Sequence, residues 1–193
     1  MTIHPTEISG VAVIELSLLA DERGSFTRTF DAELFRAHGL DPSVVQCNTS
    51  RNARGGTLRG LHYQVAPHAE GKLVRCTRGR VFDVALDLRP DSPTHRRWVG
   101  LELDADRARC VFIPAGCAHG FQTLADDSEV HYQMTAAYAP AAARGVRWND
   151  PAFAIRWPEP PGGERILSAR DRAFPDYLPL PVRDPASPGD PRP

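Results

Sequence analysis

Hydrophobic and polar residues alternate along most of this chain, which is the pattern of strands with one buried face. In residues 81–89, Phe82, Val84, Leu86 and Leu88 form one apolar face, and the intervening positions form the other. Similar short runs lie at residues 11–19, 25–30, 44–50, 57–64, 72–77, 98–103, 109–114, 120–124 and 129–135. Turn-forming Gly, Pro, Asp and Ser residues separate these runs. About ten strands joined by turns roughly every 8–12 residues predict a β-sandwich or barrel.

One short helix is predicted near the amino end. Asp31 is a suitable N-cap, and Glu33 falls in the first turn of the helix. Leu34 and Phe35 supply an apolar stripe, and Gly39 ends the helix. The expected fold class is therefore all-β with a short N-terminal helix.

Proline is concentrated at the carboxyl end, where ten of the 18 prolines fall within residues 158–193. Residues 165–171 predict a short helix or a turn. We therefore expect one domain over residues 1–181 with a helical or irregular C-terminal flank. Residues 182–193 are expected to be a Pro-rich, disordered tail, because such a composition gives little apolar surface to pack.

Charge and composition exclude several classes of protein. The 193 residues include 23 Lys and Arg against 24 Asp and Glu, and a net charge of −1 gives no field that attracts nucleic acid. No run approaches about 18 consecutive apolar residues, and the amino end lacks the pattern of a signal peptide. The four cysteines form no C-x-x-C pair, which disfavours structural zinc. We expect a cytoplasmic protein that does not bind membranes.

Two of the seven histidines are candidates for chemistry. His62 lies in a predicted strand beside Gly60, and strict alternation places it inward on the face of Leu58 and Gln64. His119 lies in a P-x-G-x-x-H pattern that resembles the second motif of the cupin superfamily. Metal-binding cupins carry H-x-H in their first motif, whereas the corresponding stretch at 62–64 has one histidine. A metal site is therefore weakly supported; His68, six residues further on, would supply a third ligand, but its spacing matches no metal-binding motif.

A phenol and several basic residues complete the candidate site. Alternation over residues 129–134 points Tyr132 inward and His131 outward. Basic side chains also collect in the segments around His62, and a concave basic surface on a neutral protein would suit an anionic ligand such as a diphosphate. Solvated strand ends are the alternative reading of the same residues, which are Arg51, Arg54, Arg59, Lys72 and Arg75.

Ordered motifs from about residue 11 to residue 172 resemble the dTDP-4-dehydrorhamnose 3,5-epimerase family of nucleotide-sugar epimerases. The resemblance implies a cupin-like β-barrel or jelly roll, a homodimer, and no metal or redox cofactor. The motifs include Asp21-Glu22-Arg23-Gly24, Leu58-Arg59-Gly60-Leu61-His62-Tyr63-Gln64, Lys72-Leu73-Val74-Arg75, Pro114-x-Gly116-x-Ala118-His119-Gly120 and Leu167-Ser168-x-x-Asp171-Arg172.

The family chemistry is epimerisation of a dTDP-4-keto-6-deoxyhexose at C3, C5 or both, in deoxysugar biosynthesis of the rhamnose type. The resemblance implies that His62 is the base and that Asp171 orients it and stabilises its cation. Lys72 matches the residue that stabilises the enolate, and Tyr132 matches the acid that reprotonates the opposite face.

The family's binding residues match this chain more loosely. Arg23, Gln46, Asn48 and Arg59 match positions that contact the nucleotide or its diphosphate. His119 matches a residue that lines the sugar site, and Tyr138 an aromatic residue near the base or sugar. Three residues depart from the usual family pattern and leave open the nucleotide, the sugar and the epimerised centre; they are Leu19, Arg28 and Arg170.

Two other functions remain open from the sequence. One is a metal-dependent cupin enzyme that uses His62, His68 and His119. The other is a noncatalytic module that binds a nucleotide sugar. The complete set of matching acid, base and lysine positions argues against simple binding, because binding alone does not require a base opposite an acid.

Overall fold

The computed structural model describes residues 1–177, so the predicted tail lies outside the described residues. Short strands dominate this part of the chain, as the alternation predicts. In chain order the strands are β1 (Thr2–Pro5), β2 (Ala12–Glu15), β3 (Leu19–Asp21), β4 (Gly24–Phe26), β5 (Gln46–Asn52), β6 (Leu58–Gln64), β7 (Lys72–Arg78), β8 (Arg80–Asp87), β9 (Trp98–Asp104), β10 (Arg109–Ile113), β11 (Cys117–Thr123), β12 (Ser128–Met134) and β13 (Ala143–Gly145).

Two antiparallel sheets form the body of the described chain. The six-stranded sheet has the order β1-β2-β10-β7-β12-β5, and the five-stranded sheet has the order β13-β6-β11-β8-β9. Strands β3 and β4 form a separate hairpin whose residues are all exposed. This arrangement confirms the prediction of an all-β fold.

The main apolar cluster lies between the sheets. Val74 and Val130 from the six-stranded sheet pack there with Ala85, Leu103 and Phe121 from the five-stranded sheet. Alternation along β8 explains how a strand can serve two clusters, since its odd-numbered and even-numbered residues face opposite sides.

Each sheet is also covered on its outer face. Leu86 on β8 packs with Phe153 and Trp157 of the C-terminal segment, which covers the five-stranded sheet. The helix α1 (Ala32–Ala37) covers part of the six-stranded sheet, with Phe35 packed against Phe112. Both sheets therefore bury apolar side chains on their outer faces as well as between them.

The two helices are short, and the first is capped as expected. The carboxylate of Asp31 accepts hydrogen bonds from the backbone N–H groups of Glu33 and Leu34, which confirms the predicted cap of α1. The helix α2 (Ala169–Arg172) begins after Ser168, inside the region predicted as a helix or turn, and a 3₁₀ turn spans Pro161–Gly163. Within residues 1–177, no helix is long and apolar enough to cross a membrane.

Candidate active site

A cavity of about 400 Å³ is bounded by side chains from both sheets and from the C-terminal segment. The two sheets therefore form opposing walls, and the C-terminal segment forms an edge. The six-stranded sheet contributes Asn48, Ser50, Lys72 and Tyr132; the five-stranded sheet contributes Arg59, His62 and His119; the C-terminal segment contributes Ser168, Arg170 and Asp171.

A bulge in β6 places two basic side chains on the same wall. His119 pairs with His62 and Phe121 pairs with Arg59, so β6 has one residue more than β11 between these pairs. Arg59 and His62 consequently both line the cavity, although they are three positions apart. The predicted face was wrong for Leu58, which packs in the apolar cluster on the outer side of this sheet. The extra residue reverses the alternation before His62.

Gly60 makes this bulge possible. Its φ is +134°, and a Cβ atom there would lie 2.5 Å from the Cα of Gly120 on the adjacent strand. Any side chain would therefore separate β6 from β11 at the point where His62 enters the cavity.

The imidazole of His62 is hydrogen-bonded to Asp171, 109 positions later in the chain. Its Nε2 lies 2.7 Å from Oδ1 of Asp171, whose side chain is only 5% exposed. The C-terminal segment is bound to the start of β6, because Leu58 donates from its backbone N–H to the Ile166 carbonyl at 2.8 Å. The Ser168 hydroxyl then accepts from the Asp171 N–H and begins α2. These contacts bring the carboxylate to the imidazole.

Asp171 is held in its charged form. Burial raises the pKa of this carboxyl group, but the hydrogen bond from His62 and the bonds from the Gly60 N–H and Ser168 outweigh it, so the pKa lies below its usual value. The carboxylate of Asp171 accepts a hydrogen bond from an N–H group at Nε2 of His62. The other ring nitrogen, Nδ1, then carries the lone pair, which is the state needed in a general base.

Lys72 enters the cavity from β7 with a buried ammonium group. Its Nζ lies 3.1 Å from Oε1 of Glu70 and donates to the backbone carbonyl of His62 at 3.2 Å. Burial lowers the pKa of Lys72, and attraction to Glu70 and Asp83 only partly offsets this effect. Sequence reasoning missed Glu70, because an acid in a Pro-containing loop resembles an ordinary solvated charge.

His119 and Tyr132 lie beside each other deeper in the cavity. Nε2 of His119 is 2.8 Å from Oδ2 of the buried Asp83, and the His119 and Tyr132 rings meet edge to face with centroids 5.8 Å apart. Burial, with the nearby Asp83 charge, raises the pKa of Tyr132, while Arg59 and Ser50 act in the opposite direction. Tyr132 is therefore a protonated phenol at neutral pH. Alternation predicted its inward direction correctly, and His131 lines a groove on the outer face.

The structure separates the predicted binding residues into two groups. Asn48, Arg59 and His119 line the cavity. Arg23, Gln46 and Tyr138 are not among the residues that line it. Arg23 lies on the β3–β4 hairpin beside Asp21 with its side chain 84% exposed, Gln46 donates to Asn48, and Tyr138 is exposed.

Two of the five predicted basic residues line the cavity, and the other three do not. Arg59 and Lys72 line it. Arg75 lines the groove on the outer face, and Arg51 pairs with Asp127. The prediction of a cluster was wrong for these residues, because alternation points Arg75 away from Lys72 and β5 carries Arg51 to an exposed end. Arg54 likewise is not among the lining residues.

The three candidate metal ligands do not converge. His62 and His119 each bind a carboxylate, whereas His68 is exposed in the β6–β7 loop. Among residues 1–177, no group of three or more His, Cys, Asp or Glu is placed to hold a metal ion. The arrangement instead offers a base, a buried cation and a phenol around one space, which suits the transfer of protons.

Comparison with known proteins agrees with this geometry. The family model described as dTDP-4-dehydrorhamnose 3,5-epimerase matches residues 5–178. A dTDP-4-dehydrorhamnose 3,5-epimerase of Sinorhizobium fredii is 43% identical over 182 residues, which cover 94% of this chain and 92% of the relative.

Solved structures share the fold over most of the chain. A dTDP-6-deoxy-D-glucose-3,5-epimerase from Legionella pneumophila, in complex with dTDP-4-keto-L-rhamnose, matches with a TM-score of 0.83 and 38% identity and covers 92% of this chain and 98% of its own. ChmJ from Streptomyces bikiniensis, a 3′-monoepimerase in complex with dTDP-quinovose, matches with a TM-score of 0.82 and 37% identity and covers 90% and 86%. These likenesses confirm the predicted cupin-like jelly roll.

Proposed function

This chain belongs to the dTDP-4-dehydrorhamnose 3,5-epimerase family, and we propose that its cavity inverts C3, C5 or both of a dTDP-linked 4-keto-6-deoxyhexose. It is an isomerase of deoxysugar biosynthesis. The observation that carries the proposed mechanism is the imidazole of His62, hydrogen-bonded to Asp171, and the buried phenol of Tyr132 on opposing walls of one cavity.

The first step is proton abstraction beside the ketone. The C4 carbonyl acidifies the neighbouring C–H bonds, and Nδ1 of His62 takes a proton from C3 or C5. The electron pair of that C–H bond moves to the carbonyl oxygen and forms an enolate. Asp171 stabilises the imidazolium that results, because its carboxylate lies 2.7 Å from the other ring nitrogen.

Lys72 stabilises the enolate. Its ammonium is almost completely buried, and a cation acts more strongly on a developing oxyanion in such surroundings than in water. The negative charge on the oxygen disappears again when the carbon is reprotonated, so no electron leaves the sugar and no oxidant or reductant is consumed.

Tyr132 supplies the proton that inverts the carbon. It lies on the wall opposite His62, so its O–H reaches the face of the enolate from which no proton was removed. Its raised pKa keeps the phenol protonated before this step. Proton exchange with solvent then returns the phenolate and the imidazolium to their starting states.

The remaining cavity residues support a role in substrate binding. Arg59 and Asn48 present a guanidinium and an amide where a diphosphate could bind, and His119 lies beside Tyr132 where the sugar would react. Three predicted binding residues lie outside the cavity and would contact only a part of the substrate that extends beyond the edge of the cavity; they are Arg23, Gln46 and Tyr138.

A homodimer and a cytoplasmic location are further parts of this proposal. The exposed apolar side chains of Leu19 and Phe26 on the β3–β4 hairpin, and of Val45 at the start of β5, support an interface between subunits. The four cysteines are free, which supports a reducing compartment. Light scattering after gel filtration would contradict the dimer if it gave the mass of one chain.

The decisive experiment is incubation with dTDP-4-keto-6-deoxyglucose in heavy water, followed by NMR. We expect deuterium at C3, C5 or both, and the labelled positions identify the carbons that lose a proton. dTDP-glucose has no ketone and should incorporate none. His62→Ala should abolish exchange, whereas His131→Ala on the outer face should retain it. Tight binding of dTDP without exchange would overturn the epimerase in favour of a binding module.

A further inference from the structure

The cavity contains a buried acid that the proposed mechanism does not use. Glu70 lies two positions before Lys72, the first residue of β7, and is 7% exposed. Its Oε1 lies 3.1 Å from Nζ of Lys72, and its Oε2 accepts a hydrogen bond from Nε2 of Gln64 at 3.0 Å. A buried carboxylate is costly unless it is paired and hydrogen-bonded, and here both oxygens have partners.

Gln64 holds this carboxylate in place. Its Nε2 also lies within hydrogen-bond distance of the backbone carbonyls of His68 and Ala137, which share its two protons with Glu70, and its Oε1 accepts from the Ala139 N–H at 2.6 Å. The amide is therefore bound on every side by backbone from two loops. These contacts restrain the side chain of Gln64, which in turn holds the Glu70 carboxylate against the ammonium of Lys72.

The contacts of Lys72 define the direction of its remaining N–H group. An ammonium has three donors, and two of them point to Glu70 and to the His62 carbonyl. The third is left for the cavity, where the enolate oxygen of the substrate would form.

We propose that Glu70 is a positioning residue that keeps the Lys72 ammonium charged and directed at the reacting oxygen. This proposal rests on the proposed function. In it, Glu70 stabilises the positive charge of the buried Lys72. A neutral amine there would donate a weaker hydrogen bond and would supply no positive charge to the enolate.

The sign of the expected pH effect follows from the charges around Lys72. A lysine is charged below its pKa, and Glu70 raises this pKa against the effect of burial. Removal of the Glu70 charge lowers the pKa further, so the reaction should fail at a lower pH on its alkaline side. The other ionisable groups around the cavity remain in place; they are Asp83, His119, His62, Asp171, Arg59, Arg170 and Tyr132.

The titration of Lys72 can be measured without substrate, because Lys72 is the only lysine among the 193 residues. Protein labelled with ¹³C at the lysine side chain gives one signal that reports the Lys72 titration, and Lys72→Met should remove it. We expect Glu70→Gln to lower the titration midpoint by about 1–3 pH units. Glu102→Gln changes an exposed acid on β9 and should leave the midpoint unchanged. Equal midpoints in Glu70→Gln and wild type would overturn the proposal.

Kinetics provide the second readout. In Glu70→Gln the alkaline limb of the kcat profile should move in the same direction as the NMR titration, while KM stays within about threefold of wild type. Absence of exchange by the wild-type protein would instead overturn the proposed function and leave the NMR result standing. If Glu70→Gln does not fold, Glu70→Asp decides: its carboxylate is one methylene farther away, so a smaller shift in the same direction is expected. An unshifted Glu70→Asp would then overturn the proposal.

Discussion

Replacement of Asp171 by Asn tests the hydrogen bond to His62 on which the proposed base depends. The variant keeps the size of the side chain but removes its charge, and the amide can turn an N–H toward His62. A hydrogen bond to a charged group contributes about 1.5–3 kcal/mol. His62 is 40% exposed and solvent screens it, so the full value for a dry interior does not apply.

If the lower part of this range, about 1.5–2 kcal/mol, is contributed mainly in the transition state, where the imidazolium forms, its loss lowers kcat by about 10- to 30-fold. We expect KM to change little, because Asp171 contacts His62 and not the sugar in the proposed arrangement. The assay is the initial rate of deuterium incorporation. Asp176→Asn is the matched control, since Asp176 lies five positions later in an exposed pair with Arg147. A rate for Asp171→Asn within about threefold of wild type would refute the reasoning.

The same variant should change stability against acid. The pKa of Asp171 is lowered in the folded protein, so its stabilising contribution is present above the unfolded value of about 3.9. This contribution is lost as the pH falls through the folded pKa. Thermal unfolding temperatures should therefore decline less steeply below about pH 4 in Asp171→Asn than in wild type.

Three further predictions address the phenol, the bulge and the absence of a metal requirement. Tyr132→Phe should lower formation of the inverted sugar by about 10²–10⁴-fold while deuterium exchange persists. Equal loss of inversion and exchange would contradict the role of Tyr132 as the acid. The control is Tyr63→Phe, because Tyr63 lies in the outer apolar cluster. Gly60→Ala should lower the free energy of unfolding by at least about 2 kcal/mol in a denaturant titration. Gly24→Ala shares a positive φ of +126° but has no atom within 4 Å of its Cβ, so an equal loss there would contradict the steric argument. Treatment with a chelator should leave the exchange rate unchanged, and a loss restored by a divalent metal would contradict the metal-free mechanism.

Alternation predicted most of the sheet and the inward direction of Tyr132, because side chains of a regular strand must face opposite sides. It failed where local geometry departs from that rule. The predicted strand at 11–19 is divided between β2 and β3, and the polar edge strand β1 has no apolar face to reveal it. Gly60 permits a bulge, but the sequence alone does not reveal that Leu58 and His62 face opposite sides of β6.

The candidate site depends on contacts that a pattern of nearby residues cannot contain. Asp171 was named only through the family resemblance, since nothing in its own neighbourhood indicates a partner 109 positions earlier. Glu70 and Asp83 were missed as partners of Lys72 and His119. A buried charge and a solvated charge have the same letter in a sequence, and only the fold decides which partner each one meets.

Strand β6 connects these long-range contacts to one another. Its first residue, Leu58, is bound to the segment that delivers Asp171, its bulge directs His62 into the cavity, and its last residue, Gln64, anchors Glu70 beneath Lys72. The base, the carboxylate that orients it and the cation that stabilises the enolate therefore share one support. A change in the register of β6 would displace His62 and disturb the contacts that hold Asp171 and the ammonium of Lys72, whereas Tyr132 on the opposite sheet would stay in place. Substitutions at the bulge should consequently abolish both solvent exchange and inversion, in contrast to the loss of inversion alone expected for Tyr132→Phe.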